Sequence, residues 1–199
     1  PDYGLSSHFI YKENINALDF NSRIARYKFV LEAGLRIENT NIKGQLPGNR
    51  LQADSSFSKS YINLFPSVTL SYQAGKNHSL NLSYRRRIDR PNYQDMNPFV
   101  YIFDTYTYEQ GNTTLQPQFS DNLELSYLLA NNYKVAVFYN QTNDVIAKSF
   151  ILSENSKRVY VMPKNLATYR SCGIRLSAGN LSPVKYMQST ASIGLTHNQ

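Results

Sequence analysis

Hydrophobic and polar residues alternate along most of this chain. Leu80, Leu82, Tyr84 and Ile88 share one parity, and Asn81, Ser83, Arg85, Arg87 and Asp89 the other. Successive side chains of a strand point to opposite faces, so His78–Arg90 predicts a strand with one apolar and one strongly polar face. The same pattern recurs. Phe9–Phe20 reads as a strand, and Asn21–Arg26 as a short polar connection. Tyr27–Ile37 and Ser60–Gln73 alternate, with Thr40–Lys59 a polar loop between them. Pro66 cannot donate to a ladder, so a bulge or local break is expected there. Gly75-Lys76-Asn77 and Asn131-Asn132 read as tight turns. Phe119–Leu129 is a strand, and the one from Tyr133 runs on to about Leu152. Ser153–Lys157 is a short connection. Arg158–Ala178 returns with an interruption near Pro163–Asn165, Asn180–Val184 is a turn, and Tyr186–Gln199 closes the series.

The pattern predicts about eight antiparallel strands and no helix. A soluble sandwich and a membrane barrel both fit it, and loop lengths favour the barrel. Connections at Asn21–Arg26, Gly75–Asn77, Asn131–Asn132 and Asn180–Val184 are short, whereas Thr40–Lys59 and Pro91–Pro117 are long. Short turns at one end and long loops at the other suit an up-and-down transmembrane β-barrel, with periplasmic turns and extracellular loops. In the alternative, a soluble secreted β-sandwich, Leu31, Leu82, Leu125 and Val137 would bury one another, and a Tyr-rich loop would bind carbohydrate.

Composition narrows the function. The chain has 199 residues and a mean hydropathy of -0.47, and its apolar runs are far too short for a spanning helix of roughly 20 residues. Tyrosine is abundant at 16 copies, which suits strands and membrane interfaces alike. The formal charge of +7 is scattered apart from Arg85–Arg87, and no basic helix appears, so nucleic acid is not an expected partner. His8, His78 and His197 lack metal-ligand spacing, no hydrolase or nucleotide-binding motif is present, and neither an enzyme nor a cofactor is expected. The single cysteine, Cys172, shares the parity of Ile174 and Leu176 and reads as an inert apolar-face residue.

The segments NLFPSVTLSYQ (63–73), HSLNLSYRRRIDRPNYQDMNPF (78–99), YEQGNTTLQPQFSDNLELSY (108–127), NDVI (143–146) and CGIRLS (172–177) follow in order. Together they resemble the C-terminal barrel of TonB-dependent outer-membrane receptors of the Bacteroidetes type, the outer membrane beta-barrel family. The resemblance runs from about Ile10 onward. It implies a bacterial outer-membrane location in contact with lipid, a full barrel of about 22 strands, and import of an unidentified nutrient ligand with a plug domain and TonB as partners. Eight strands are a fraction of such a barrel. Residues 1–199 are therefore expected to form a single barrel domain, a fragment of a larger barrel without its plug.

Placed in that frame, Arg85 and Arg87 face the lumen. The favoured reading pairs each with a carboxylate on a neighbouring strand, such as Glu124. The alternative is an electropositive wall that attracts an anionic ligand or touches the plug. Arg86 has lipid-side parity and would reach headgroups or a lipopolysaccharide phosphate. Tyr101, Tyr106 and Tyr108 in the long loop are candidate ligand contacts, alongside Phe99 and Phe103. The alternative is that these rings fold the loop on itself or join the outer aromatic girdle. Gly111-Asn112 and Leu115-Gln116-Pro117 read as turn and strand-entry chemistry.

Overall fold

A computed structural model describes residues 8–48, 53–152, 158–184 and 187–199. It has two sheets. The larger orders β1 (Ile10–Arg26), β2 (Phe29–Leu46), β3 (Ser55–Gly75), β4 (His78–Asp89), β7 (Gln118–Leu129), β8 (Tyr133–Asn143), β11 (Tyr169–Val184) and β12 (Met187–Asn198) side by side. All neighbours are antiparallel. The smaller orders β5 (Val100–Ile102), β6 (Thr107–Gln110), β10 (Val159–Asn165) and β9 (Ile146–Leu152).

Register shows why these residues make a wall. Ile24, Leu31, Leu70, Leu82, Leu125, Val137, Ile174 and Leu195 lie in one row across all eight strands. The adjacent row, pointing the other way, is Arg23, Glu32, Thr69, Ser83, Glu124, Phe138, Gly173 and Thr196. No described residue covers the apolar row: Leu82 is 43%, Leu125 45% and Val137 51% exposed. A sandwich would bury these side chains, so the soluble reading fails here. Lipid is the solvent such a face requires, and the ladder satisfies the backbone beneath it. Outer apolar positions climb higher on β1–β3, at Leu18, Ile37 and Ile62, than on β11 and β12, where Cys172 and Leu195 end them. This stagger is what strands tilted about 35–45° to the membrane normal produce.

Several boundaries differ from the sequence expectation. The expected connection Asn21–Arg26 is strand: β1 runs to Arg26, and the turn is Tyr27-Lys28, with Tyr27 left-handed at φ 53°. Thr40–Lys59 is mostly strand too, since β2 extends to Leu46 and β3 starts at Ser55. Inward polar residues made both stretches look like loops. The strand from Tyr133 breaks at Asp144, which is left-handed at φ 56°, and β9 leaves the wall for the small sheet. The interruption expected near Pro163–Asn165 falls inside β10, and the wall strand β11 starts afresh at Tyr169. β11 continues through Val184 with irregular register, so no turn begins at Asn180. The connection Ser153–Lys157 and the start of the last strand at Tyr186 lie outside the described residues.

Pro66 produces no bulge toward β2, whose register with β3 is unbroken from Leu46↔Ser55 to Phe29↔Tyr72. The break falls on β3's other edge. Pairing with β4 stops at Ser67↔Arg85, although β3 continues up to Ser55 and β4 to Asp89. The wall forks there. Arg90, just beyond β4, crosses the fork to bond Glu38 and, at 3.2 Å, the Thr40 hydroxyl. The Lys59 ammonium donates to the Leu115 carbonyl. Ile42, Leu46, Met96 and Leu115, among the most buried apolar residues described, belong to this upper part of β2 and to the loop base.

Candidate functional site: the lumen wall and the loop lobe above it

The polar face of β4, β7, β8 and β11 forms an open depression lined by Arg85, Arg87, Asn122, Glu124, Asn140 and Arg175. Cross-strand neighbours put these groups within reach of one another. Glu124 pairs with Lys134 at 2.7 Å and approaches Arg175 at 3.9 Å. It is therefore engaged away from Arg85 and Arg87. Both arginines are exposed, and neither makes an ion pair among the described residues. The expected carboxylate ladder for these two does not form. What remains on β4 is a pair of uncompensated guanidinium groups aimed inward. On β1 and β2, by contrast, the inward cations are matched: Arg23 with Glu32, and Arg36 with Asp19 and Glu38.

Arg86 lies on the outer face, in a row with Asp121, Gln141 and Arg170. Its guanidinium sits 5.1 Å from the centre of the Phe119 ring. Tyr84, one step lower on the same face, donates to Asp121 at 2.7 Å, and Arg170 donates to Gln141 at 3.3 Å. This is polar and aromatic lining above an apolar band, the composition of a headgroup boundary.

The small sheet joins the two long loops. β6, from the loop after β4, pairs in parallel with β10, from the loop after β8. Polar bonds reinforce the joint. Asn165 donates to the Gln116 and Asp144 carbonyls at 2.8 Å and accepts from the Gln116 amide at 2.8 Å. Asn112 donates to the Pro163 carbonyl at 3.1 Å. Gly111 is more than a turn residue. Its amide bonds the Asn97 carbonyl at 2.9 Å, and a Cβ there would meet that oxygen at 2.4 Å and the Asp95 carbonyl at 2.7 Å. Only glycine allows the two backbones so close.

The three candidate tyrosines do not converge. Tyr101 and Tyr108 occupy opposite faces of the small sheet, because Tyr101 pairs with Glu109 and its neighbour Ile102 with Tyr108. Tyr108 stacks on Tyr160 at 5.4 Å, with Arg158 over its ring at 5.1 Å. Tyr106 sits exposed in the turn that Asp104 holds by accepting from the Tyr106 and Thr107 amides at 2.7 Å. Those two bonds keep the Asp104 carboxyl below its ordinary range. Tyr101 packs edge-on to Phe99 at 5.0 Å and lines a cleft with Phe103, Asp95, Glu109 and Lys148. Arg85 and Arg87 line the barrel wall, apart from this cleft. Sequence reading missed Asp95, Glu109 and Lys148, since no local signal links position 148 to position 109. Among the described residues no cluster of histidine, cysteine and carboxylates could hold a metal ion.

Known proteins share this architecture. The siderophore receptor PirA from Pseudomonas aeruginosa superposes with a TM-score of 0.61 at 14% identity, over 98% of this chain and 44% of that one. The siderophore receptor PiuA from Acinetobacter baumannii gives 0.62 at 11% identity, over 96% and 26%. The copper transporter OprC gives 0.60 at 13% identity, over 97% and 30%. This chain thus spans less than half the length of each of these outer-membrane barrels, and at such identities the likeness is one of fold. The comparison with curated proteins finds no match. The family model described as "Outer membrane protein beta-barrel family" matches residues 1–199, and the chain, a β-barrel segment of the bacterial outer membrane, belongs to that family.

Proposed function

We propose that this chain is part of the barrel of a TonB-dependent receptor that imports a nutrient ligand and catalyses no reaction. The observation that carries this reading is the two-faced wall. An apolar outer face is continuous across eight strands, a polar inner face lies one residue out of step, and among the described residues β1 and β12 stand at the two ends of the strand order. An unpaired strand edge is not tolerated in hydrocarbon, so further strands of the same receptor would complete the barrel. Residues 1–199 are then a single barrel domain within a larger one. A plug domain and TonB are the partners that the resemblance to TonB-dependent receptors implies. The proteins of similar fold are receptors and transporters rather than enzymes, which supports a non-catalytic role.

Within that reading, Arg85 and Arg87 face the lumen as free cations, available to an anionic group on the plug or on the passing ligand. Arg86 sits at the outer rim, placed for a lipid or lipopolysaccharide phosphate. Tyr101 is the loop tyrosine best placed for ligand, with Tyr106 exposed beside it, whereas the stacking of Tyr108 on Tyr160 favours a structural role.

The test compares nutrient depletion from defined medium by cells with the intact receptor, cells lacking it, and cells lacking TonB. The expected result is at least one solute whose uptake falls about 10-fold or more in both deletions. Uptake of every solute unchanged on deleting the receptor would refute the reading.

A further inference from the structure

We infer that the periplasmic rim under β1–β4 is a binding site for an anionic phospholipid, whose phosphate is held by Arg26, Lys28 and Lys76. The inference uses the outer-membrane barrel and the direction of its short turns, and it stands whatever the receptor imports.

Arg26 breaks the pattern of the outer face. Its register row runs Arg26, Phe29, Tyr72, Leu80, Tyr127 and Val135. Every other member is apolar or aromatic. Arg26 is exposed, and its recorded contact is with the Tyr27 ring at 5.7 Å. The next carboxylate along β2, Glu32, has inward parity and is paired with Arg23 at 3.4 Å. A guanidinium on a lipid-facing row is costly within hydrocarbon and is tolerated where it reaches the headgroup layer. Aromatic residues mark that layer here. Tyr27 is 95% exposed, and Phe29 stacks on Tyr72 at 4.7 Å.

Lys28 and Lys76 stand exposed in adjoining turns. The Lys28 carbonyl accepts from the Gln73 amide at 2.8 Å. Gln73 leads into the next turn, where its side chain donates to the Gly75 carbonyl at 2.6 Å. The Asn77 carbonyl accepts from the Ala130 amide at 2.7 Å, which ties that turn to the following one. Backbone bonds thus hold the cations on one scaffold. No opposing charge is built in, since residues 24–31, 70–83 and 125–143 contain no Asp or Glu. Lys134 is the other basic residue of these stretches, and Glu124 engages it at 2.7 Å on the inner face. The turn at Asn131-Asn132 is uncharged. Among the described turns, free positive charge therefore gathers under β1–β4 and not under β7–β8.

The occupant follows from charge and place. Short turns lie at the periplasmic end of an outer-membrane barrel, so the leaflet they meet is the phospholipid one. A phosphate accepts from an arginine fork and from ammonium groups. A zwitterionic headgroup brings its own ammonium, which finds no carboxylate here and is repelled by three cations. An anionic headgroup meets no such conflict, and each cation is worth about 5-fold in attraction to an anionic lipid surface. Above the rim, Leu31, Leu80 and Leu82 offer an exposed apolar face to the acyl chains.

The experiment places the intact receptor in nanodiscs of phosphatidylethanolamine doped with a photoactivatable analogue of either phosphatidylglycerol or phosphatidylethanolamine. Mass spectrometry maps the crosslinks. The phosphatidylglycerol analogue should label residues 24–31 and 70–83 at least 5-fold more than the phosphatidylethanolamine analogue, whereas the Asn131-Asn132 turn should take up both alike. Arg26→Gln, Lys28→Gln and Lys76→Gln together should bring that ratio to about one. Arg26→Gln alone should lower it about 3-fold, and Lys134→Gln should leave it unchanged. Heat-modifiable gel migration of each variant reports that the barrel is intact. Equal labelling by both analogues at the two turns, or an unchanged ratio in the triple and the single arginine variants, would overturn the inference. Loss of the ratio on adding millimolar glycerol phosphate would also overturn it, because a free phosphate would then be the ligand. So would capture of a periplasmic protein, in place of phospholipid, by a photoreactive residue substituted for Asn77 in intact cells.

Discussion

The wall and the lobe above it are both β-sheets of this chain, but they are held by different forces. In the wall every strand pairs with neighbours in an unbroken antiparallel order, and side chains merely alternate between lipid and lumen. Any apolar residue of suitable size serves on the outer face. In the lobe the strands are three to seven residues long, one pairing is parallel, and named side chains carry the joint: Asn112, Asn165, Gly111 and the Lys148–Glu109 pair. A wall tolerates substitution by class, whereas the lobe depends on identity. Solvent explains the contrast. Hydrocarbon enforces the wall's hydrogen bonds because no water competes for them, while the lobe's bonds form in water and need several partners in register.

The largest effect expected from breaking this contrast is a charge on the wall's outer face. Leu125→Arg should cost about 2–4 kcal/mol, and the variant should lose heat-modifiable migration, whereas Asn122→Arg, on the inner face, should keep it. Next comes Gly111→Ala. The added Cβ meets backbone on two sides, so the lobe should lose about 2–3 kcal/mol of local stability. Protease added to intact cells should cleave within the two loops while the barrel keeps its migration. Unchanged protection would mean that the loop backbones do not approach as described. Asn165→Ala removes three hydrogen bonds, with an expected loss of about 1–3 kcal/mol. Hydrogen exchange should rise at Gln116 and Leu166 and stay unchanged in β7.

The smallest effect is one of pH. Asp104 has a carboxyl lowered by two backbone N–H bonds, so the stability it adds is full above its ordinary value of 3.8 and is lost as pH falls through the lower folded value. Asp95 has the opposite sign, being raised by burial. It favours the folded lobe below 3.8 and loses that contribution as pH rises through its higher folded value. Acidification from about pH 5 to below 3.8 should therefore loosen the turn at Tyr106 and Thr107 and leave the cleft floor at Asp95 intact, as amide exchange would report. In Asp104→Asn the Tyr106 and Thr107 amides should lose their pH dependence.

Alternation was enough to place the eight wall strands and to assign their faces, because lipid and lumen impose a period of two on every strand. Strand ends were less legible. Asn21, Ser22 and Arg23 look like a loop, yet Asn21 and Arg23 face the lumen, where polar residues belong. Pro66 was recognised as a break, but which neighbour it would lose depended on where β4 leaves β3. For the candidate site, periodicity and parity placed Arg85 and Arg87 on the lumen wall and Arg86 outside. It could not show that Glu124 is taken by Lys134 and Arg175. Nor could it pair Tyr108 with Tyr160, since the joining of the two loops is set by tertiary packing and has no local signature.

The parallel pairing of β6 with β10 also bears on the order of assembly. Tyr108 and Tyr160 are 52 residues apart (108 to 160), whereas β1 and β2 meet across Tyr27-Lys28 and β7 and β8 across a similarly tight turn. Pairings between sequence neighbours close quickly, and distant ones wait on the loss of chain entropy. The hairpins of the wall should therefore form first, with the two loops still separate strings. The lobe should lock last, once β4, β7, β8 and β11 stand side by side. A pulse-labelling experiment during assembly should find amide protection at Leu125 and Val137 before it appears at Tyr108 and Val161.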